Sequence, residues 1–162
     1  MVKIHYESKL AKAILWGGYS TITLFGMVFT KRKESQMSDD DKRHETLHAI
    51  QQRDCLWLGL IVSVVLFGTL MLCGIQSWWF ILYAALLTLL WYYVIYVTEW
   101  ILGLIWNLFH GWGDKTQKRS YYTISFEQES YEMEDNPSYL ENRKFCAWFK
   151  YYFSTKIYKR KL

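Results

Sequence analysis

The sequence predicts a mainly α-helical chain built on a two-span transmembrane hairpin, with a small polar unit assembled from both flanks. Three observations predict it. Residues 55–73 (CLWLGLIVSVVLFGTLMLC) carry no charge and are long enough to cross the hydrocarbon core. A second apolar run begins at Trp78-Trp79 and continues to Phe109, interrupted only by Glu99 and Asn107. All 19 Lys and Arg residues of this 162-residue chain lie outside the stretch from Asp54 to Asp114. A 52% hydrophobic and 19% aromatic composition fits interfacial belts of Trp and Tyr. The net charge of +4 shows no recognition pattern for nucleic acid. The three cysteines, Cys55, Cys73 and Cys146, form no C-x-x-C pair, so neither a disulfide framework nor a cysteine metal site is expected.

Three segments follow: residues 1–53, the hairpin 54–109, and residues 110–162. In the first, residues 13–29 (AILWGGYSTITLFGMVF) are apolar enough to raise a third span or a signal peptide. Gly17-Gly18 breaks the run, Tyr19, Ser20, Thr21 and Thr23 dilute it, and Lys31-Arg32-Lys33 follows it. The β-branched and aromatic residues of Thr21–Phe29 instead predict a buried strand or hairpin. Ser38 is expected to cap the next helix, with Asp41 completing a capping box and Asp39 and Asp40 favouring its positive end.

That helix carries His44-Glu45-Thr46-Leu47-His48, an H-E-x-x-H pattern. Histidines four residues apart project from one face, so both imidazoles reach one metal ion. Glu45 is placed to take a proton from a water that the ion activates. His44, Leu47, His48 and Gln51 fall on one stripe, which makes Gln51 a candidate support for the ligands. The helix is expected to run straight into the first span.

Gly74-Ile75-Gln76-Ser77 reads as a tight, uncharged loop, which leaves both basic flanks on the cytoplasmic side of the inner membrane. Glu99, the only charge in the second run, is either a buried functional carboxylate near the metal or a residue emerging at the interface.

A catalytic zinc takes three protein ligands and keeps one position open. The close pattern H-E-x-x-H-x-x-G-x-x-H fails because residue 51 is Gln and residue 54 is Asp. His5 and His110, the latter in His110-Gly111-Trp112-Gly113, are isolated. Ser125 with Gln128 suggests a capping box and a helix starting at Phe126, ended by Asn136-Pro137. Glu127 is the expected third ligand, with Glu129 as the alternative. Tyr131, one turn from Glu127, is a candidate donor to the oxyanion. Phe145, Trp148, Phe149, Tyr152 and Phe153 with Arg143, Lys144 and Lys150 predict a terminal aromatic-basic helix, lying along headgroups or packed on the core. Lys156 to Lys161 is expected to be a solvated basic end.

H-E-x-x-H on one helix and a glutamate on a later one resembles the gluzincin metallopeptidases, whose membrane members include the HtpX heat-shock protease and the CAAX prenyl endopeptidase. Glu127-Gln128-Glu129-Ser130-Tyr131 is similar to their E-x-x-A-D setting, with Ser for Ala and Tyr for Asp. The chain also resembles a group of small Bacteroidetes membrane proteins. The shared features are Gly18-Tyr19 through Phe25-Gly26, His44 to Gln51, Glu99-Trp100, Phe126 to Tyr131, and Tyr139-Leu140-Glu141-Asn142-Arg143-Lys144. The resemblance implies a minimal integral-membrane zinc endopeptidase. The expected partners are the bilayer and a membrane-proximal polypeptide, paired as a strand with Thr21, Ile22, Thr23 and Leu24. A non-enzymatic membrane adaptor, with an accidental or structural metal motif, is the competing expectation; a transporter built on Glu99 is a weaker third. Substrate identity and oligomeric state leave no trace in the sequence.

Overall fold

The computed structural model describes residues 2–16, 18–110, 116–152 and 154. Gly17, the Gly111-Trp112-Gly113 end expected after His110, Phe153 and the basic end Lys156–Lys161 lie outside the described residues. The chain is mainly helical, and its framework is a pair of long helices, α2 and α3.

Helix α2 spans Asp39–Leu72, 34 residues without a break. Its start matches the sequence reading: the Ser38 side chain accepts from the Asp41 N–H at 3.0 Å, and Asp41 accepts from the Ser38 N–H at 3.2 Å. Its first turns are polar and its last eighteen residues apolar. The metal-motif helix and the first apolar segment are therefore one rigid rod. Helix α3 covers Trp79–Phe109, 31 residues. Both are long and apolar enough to cross a membrane. A soluble core helix would bury such residues, whereas here Ile61, Val64 and Ile81 are 57%, 64% and 78% exposed.

The helices approach closely where their side chains are small. A Cβ on Gly59 would sit 3.0 Å from Trp91 Cβ and 3.1 Å from Thr88 Cα. One turn on, Ser63 Oγ lies 3.3 Å from both Ala84 O and Thr88 Oγ1. Small residues that admit backbone contact, with a hydroxyl bonding across, are the usual glue between helices in lipid.

Among the described residues the N-terminal region forms no third span. Helix α1 (Lys9–Ile14) takes the start of the apolar run, and the rest folds into strands. β1 (Ile4–His5), β2 (Thr21–Leu24) and β3 (Met27–Thr30) make a sheet of order β1-β3-β2. β2 and β3 form an antiparallel hairpin that turns at Phe25-Gly26, both with positive φ (50° and 77°). Only β2, within the expected Thr21–Phe29 segment, keeps an open edge; β3 is central.

Three short helices complete the unit: α4 (Thr116–Tyr122), α5 (Ser125–Met133) and α6 (Tyr139–Asn142). Among the described residues of 143–153, the expected long terminal helix does not form. Ala147–Tyr151 instead forms one 3-10 turn. Trp148 there is fully buried, its ring centroid 4.6 Å from that of Phe126, so these aromatics cap the core where α2, α3 and α5 meet. Phe145 and Phe149 remain exposed.

Candidate metal centre

His44 and His48 leave α2 one turn apart and face α5. Each imidazole is oriented from behind. The His48 Nδ1–H donates to Gln51 Oε1 at 2.9 Å, and the His44 Nδ1–H donates to Glu134 Oε2 at 2.9 Å. These bonds place the ring proton on Nδ1 and turn both Nε2 atoms inward, 3.2 Å apart. Glu127 of α5 closes the triangle, with Oε2 3.5 Å from His44 Nε2 and Oε1 3.4 Å from His48 Nε2. All three residues are buried.

Two imidazole nitrogens and a carboxylate aimed at one point repel each other unless a proton or a metal cation lies between them. Glu127 Oε1 accepts a bond from the Tyr96 hydroxyl at 2.9 Å, but Oε2 is buried without any hydrogen bond. An unsatisfied buried carboxylate oxygen is costly, and a bound ion removes that cost. Ligands on a tetrahedral ion with bonds of about 2.0–2.1 Å are separated by roughly 3.3 Å. The observed separations match that edge length. His44, His48 and Glu127 thus form a buried group able to hold a metal ion, and no other such group of three occurs among the described residues.

The charges respond as expected for a preformed cation site. Burial alone would lower His44, but the Glu127 and Glu134 carboxylates overturn this and push it up to about 10. His48 is also raised, burial being outweighed by Glu127. Burial would raise Glu127, and the two histidines beside it hold it well below the usual carboxylate range.

Glu45 sits on the next face of α2, where its Oε2 accepts from Thr23 Oγ1 of β2 at 3.0 Å. Tyr131 packs edge-on against His44, ring centroids 4.4 Å apart. A cleft of about 700 Å³ opens over His44 and Glu45, with Thr21 of β2 on one wall and Tyr121, Tyr122 and Tyr131 on the other. The two-residue turn makes Leu24–Met27 and Ile22–Phe29 the hydrogen-bonded pairs, so the backbones of Thr21 and Thr23 face the open edge. The Thr23 carbonyl is taken: Gln52 Nε2 donates to it at 2.7 Å while Gln52 Oε1 accepts from the Gly26 N–H at 2.7 Å.

Several expectations need correction. Glu129 is no metal ligand: Arg143 Nε donates to its Oε1 at 2.7 Å, Tyr139 to Oε1 at 2.8 Å and Gln51 to Oε2 at 2.9 Å. A two-residue step round α5 turns it away from Glu127. Glu99 does not touch the triad. It accepts from the Ser125 N–H at 2.6 Å and Ser125 Oγ at 2.8 Å, anchoring the start of the helix that carries Glu127. The predicted Ser125–Gln128 box is therefore not formed; α5 begins at Ser125 with Ile124 before it, and Gln128 Nε2 bonds Tyr122 O and Ser154 O instead. His5 stacks on Phe29, and His110 Nδ1 bonds Trp106 O. Of the two readings for the terminal aromatic-basic segment, the headgroup one does not hold for Arg143, whose side chain is buried between Asp54 and Glu129. Glu134, Tyr96 and Gln52 were not anticipated. Glu134 follows Glu127 by seven residues, two turns on the same face, and that spacing was a usable signal. Tyr96 and Gln52 carry none. No protein-family model, curated protein or solved structure matches this chain.

Proposed function

We propose that this chain is an integral-membrane zinc metalloendopeptidase of gluzincin type that hydrolyses polypeptide close to the inner face of the cytoplasmic membrane. The observation that carries the reading is the convergence of His44 Nε2, His48 Nε2 and Glu127 at 3.2–3.5 Å, with Glu45 beside them in an open cleft. Two imidazoles and a carboxylate suit zinc, and three ligands rather than four leave a position for chemistry. A closed structural site, as an adaptor would use, calls for a fourth ligand, and none joins the group among the described residues.

When bound, zinc lowers the pKa of a water and polarises the scissile carbonyl. Glu45 takes the water proton and returns it to the departing amine. The Thr23 hydroxyl holds the Glu45 carboxylate in place for this. Burial keeps the Tyr131 phenol neutral, its pKa raised further by Glu127, so it retains a proton to donate toward the developing oxyanion. The substrate pairs as a strand with the open edge at Thr21 and Thr23. Gln52 occupies the edge from the Thr23 carbonyl onward, so pairing stops there and the substrate is gripped over a short stretch.

Glu45→Gln tests the reading. The variant is expected to bind zinc as the parent does and to lose hydrolysis by about 10²-fold or more. Full activity in that variant rejects Glu45 as the base. Absence of stoichiometric zinc from the purified parent favours the adaptor.

A further inference from the structure

A second cavity, of about 390 Å³, lies apart from the metal cleft. Its walls come from the β-hairpin tip, α2 and α3. Along α2 it follows Ile50, Arg53 and Leu56; from α3 it takes Leu89 and Tyr93; from the N-terminal segment it takes Lys3. Arg53 lies about 140° round the helix from His48, five residues on. The groove is thus on a different face from the ligands.

Its chemistry is graded. Leu56 and Leu89 lie within the apolar segments, whereas Arg53 is the last cation before the uncharged run on α2. Lys3 and Arg53 are both exposed, neither pairs with a carboxylate among the described residues, and no acidic residue lines the cavity. Beside them the tip of the hairpin presents Phe25, 60% exposed, and Met27, 40% exposed. The tip is pinned to α3, with the Phe25 N–H donating to Tyr93 Oη at 3.1 Å. Two unpaired cations over an apolar floor, next to exposed apolar side chains at the polar–apolar boundary, complement an anionic phospholipid: phosphate at the rim and acyl chain between the helices.

We propose that this groove is a binding site for one anionic phospholipid of the inner leaflet, with Lys3 and Arg53 holding the phosphate. Lys3 belongs to the sheet, its carbonyl accepting from the Val28 N–H of β3, while Arg53 belongs to α2. One headgroup held by both ties the sheet to the bilayer surface. The site rests on the membrane placement of α2 and α3 and not on the peptidase assignment.

Native mass spectrometry of the delipidated full chain, titrated with dioleoylphosphatidylglycerol or dioleoylphosphatidylcholine, tests it. We expect one phosphatidylglycerol bound about tenfold more tightly than phosphatidylcholine. Lys3→Gln with Arg53→Gln should abolish that preference, and Lys118→Gln, on the other cleft, should leave it intact. Glycerol phosphate at millimolar concentration should not compete, since it lacks the acyl chain. Equal binding of the two lipids, a preference surviving in the double variant, or full competition by glycerol phosphate overturns the site. Zinc content, measured on the same samples, reports on the peptidase reading separately.

Discussion

At the residue scale, the His44, His48 and Glu127 group, which could hold a metal ion, is held together by protons when no ion is bound. His44 is raised from 6.5 to about 10 and Glu127 is lowered from 4.5. The signs set the pH dependence of the metal-free protein. The histidine contribution is fully present below 6.5 and is lost as pH rises towards about 10. The Glu127 contribution is present above 4.5 and is lost as pH falls towards its depressed value. The metal-free protein should therefore be most stable between 4.5 and 6.5. A metal ion bound there would have to displace a proton from His44 at neutral pH, so the apparent affinity for zinc should rise about tenfold per pH unit until pH reaches about 10. Calorimetry in two buffers of different ionisation enthalpy counts the protons released; a count of zero at pH 7 removes this account. The groups behind the ligands should matter nearly as much as the ligands. Glu134→Gln replaces the carboxylate that receives the His44 Nδ1 proton, and zinc affinity should fall about 10- to 100-fold. An unchanged affinity would show that Glu134 does not orient His44.

At the element scale, one buried arginine joins the two halves of the unit. Arg143 Nη1 contacts Asp54 of α2 at 2.5 Å, and its Nε and Nη2 grip Glu129 of α5 at 2.7 and 3.1 Å. The three side chains are 3%, 4% and 0% exposed. Asp54 also accepts from the Cys146 N–H at 3.1 Å, which fixes the turn carrying Trp148. Arg143→Met strands two carboxylates in a dry interior and should cost about 3–5 kcal/mol. Adding Asp54→Asn and Glu129→Gln removes the stranded charge and should recover most of it. Chemical unfolding in micelles measures both; a single variant as stable as the parent would show that the bridge carries no weight. This bridge also marks how far the sequence could be read. The 3.6-residue period, the Ser38 box and the uncharged run made α2 legible end to end, because those signals are local. The helical period put Glu127 and Tyr131 one turn apart but left Glu129 open as an alternative ligand, because the Arg143 that claims it lies fourteen residues on. What stayed hidden depends on partners distant in the chain. Glu99 anchors α5 from 26 residues away, and Arg143 finds Asp54 from 89 residues away. Neither pairing leaves a periodic trace, so the sequence left Arg143 open between headgroups and core, and Glu99 read as a lone carboxylate in an apolar run.

At the scale of the whole molecule, the single rod of α2 sets the relation between chemistry and bilayer. From His48 to Cys55 the axis rises about 10 Å, and the eighteen residues from Cys55 to Leu72 then rise about 27 Å, close to the hydrocarbon thickness. The candidate metal site is joined to the apolar segment by continuous backbone hydrogen bonds rather than by a linker, so on the peptidase reading proposed above a substrate would have to come to the membrane surface to be reached. The positive-inside rule then predicts the uncharged turn after Leu72 on the far side of the bilayer. The native cysteines make this testable without adding any. Cys73, at the end of α2, is exposed, while Cys55 and Cys146 are buried in the core below the metal centre. In intact spheroplasts a membrane-impermeant maleimide should label the protein once, and Cys73→Ser should abolish the label. In inside-out vesicles the folded protein should resist the reagent, because both cysteines on that side are packed beneath Phe126 and Trp148. Strong labelling of Cys73 from the cytoplasmic face would invert the hairpin. It would then put the histidines, the glutamate and the open strand edge on the outer surface of the cell membrane.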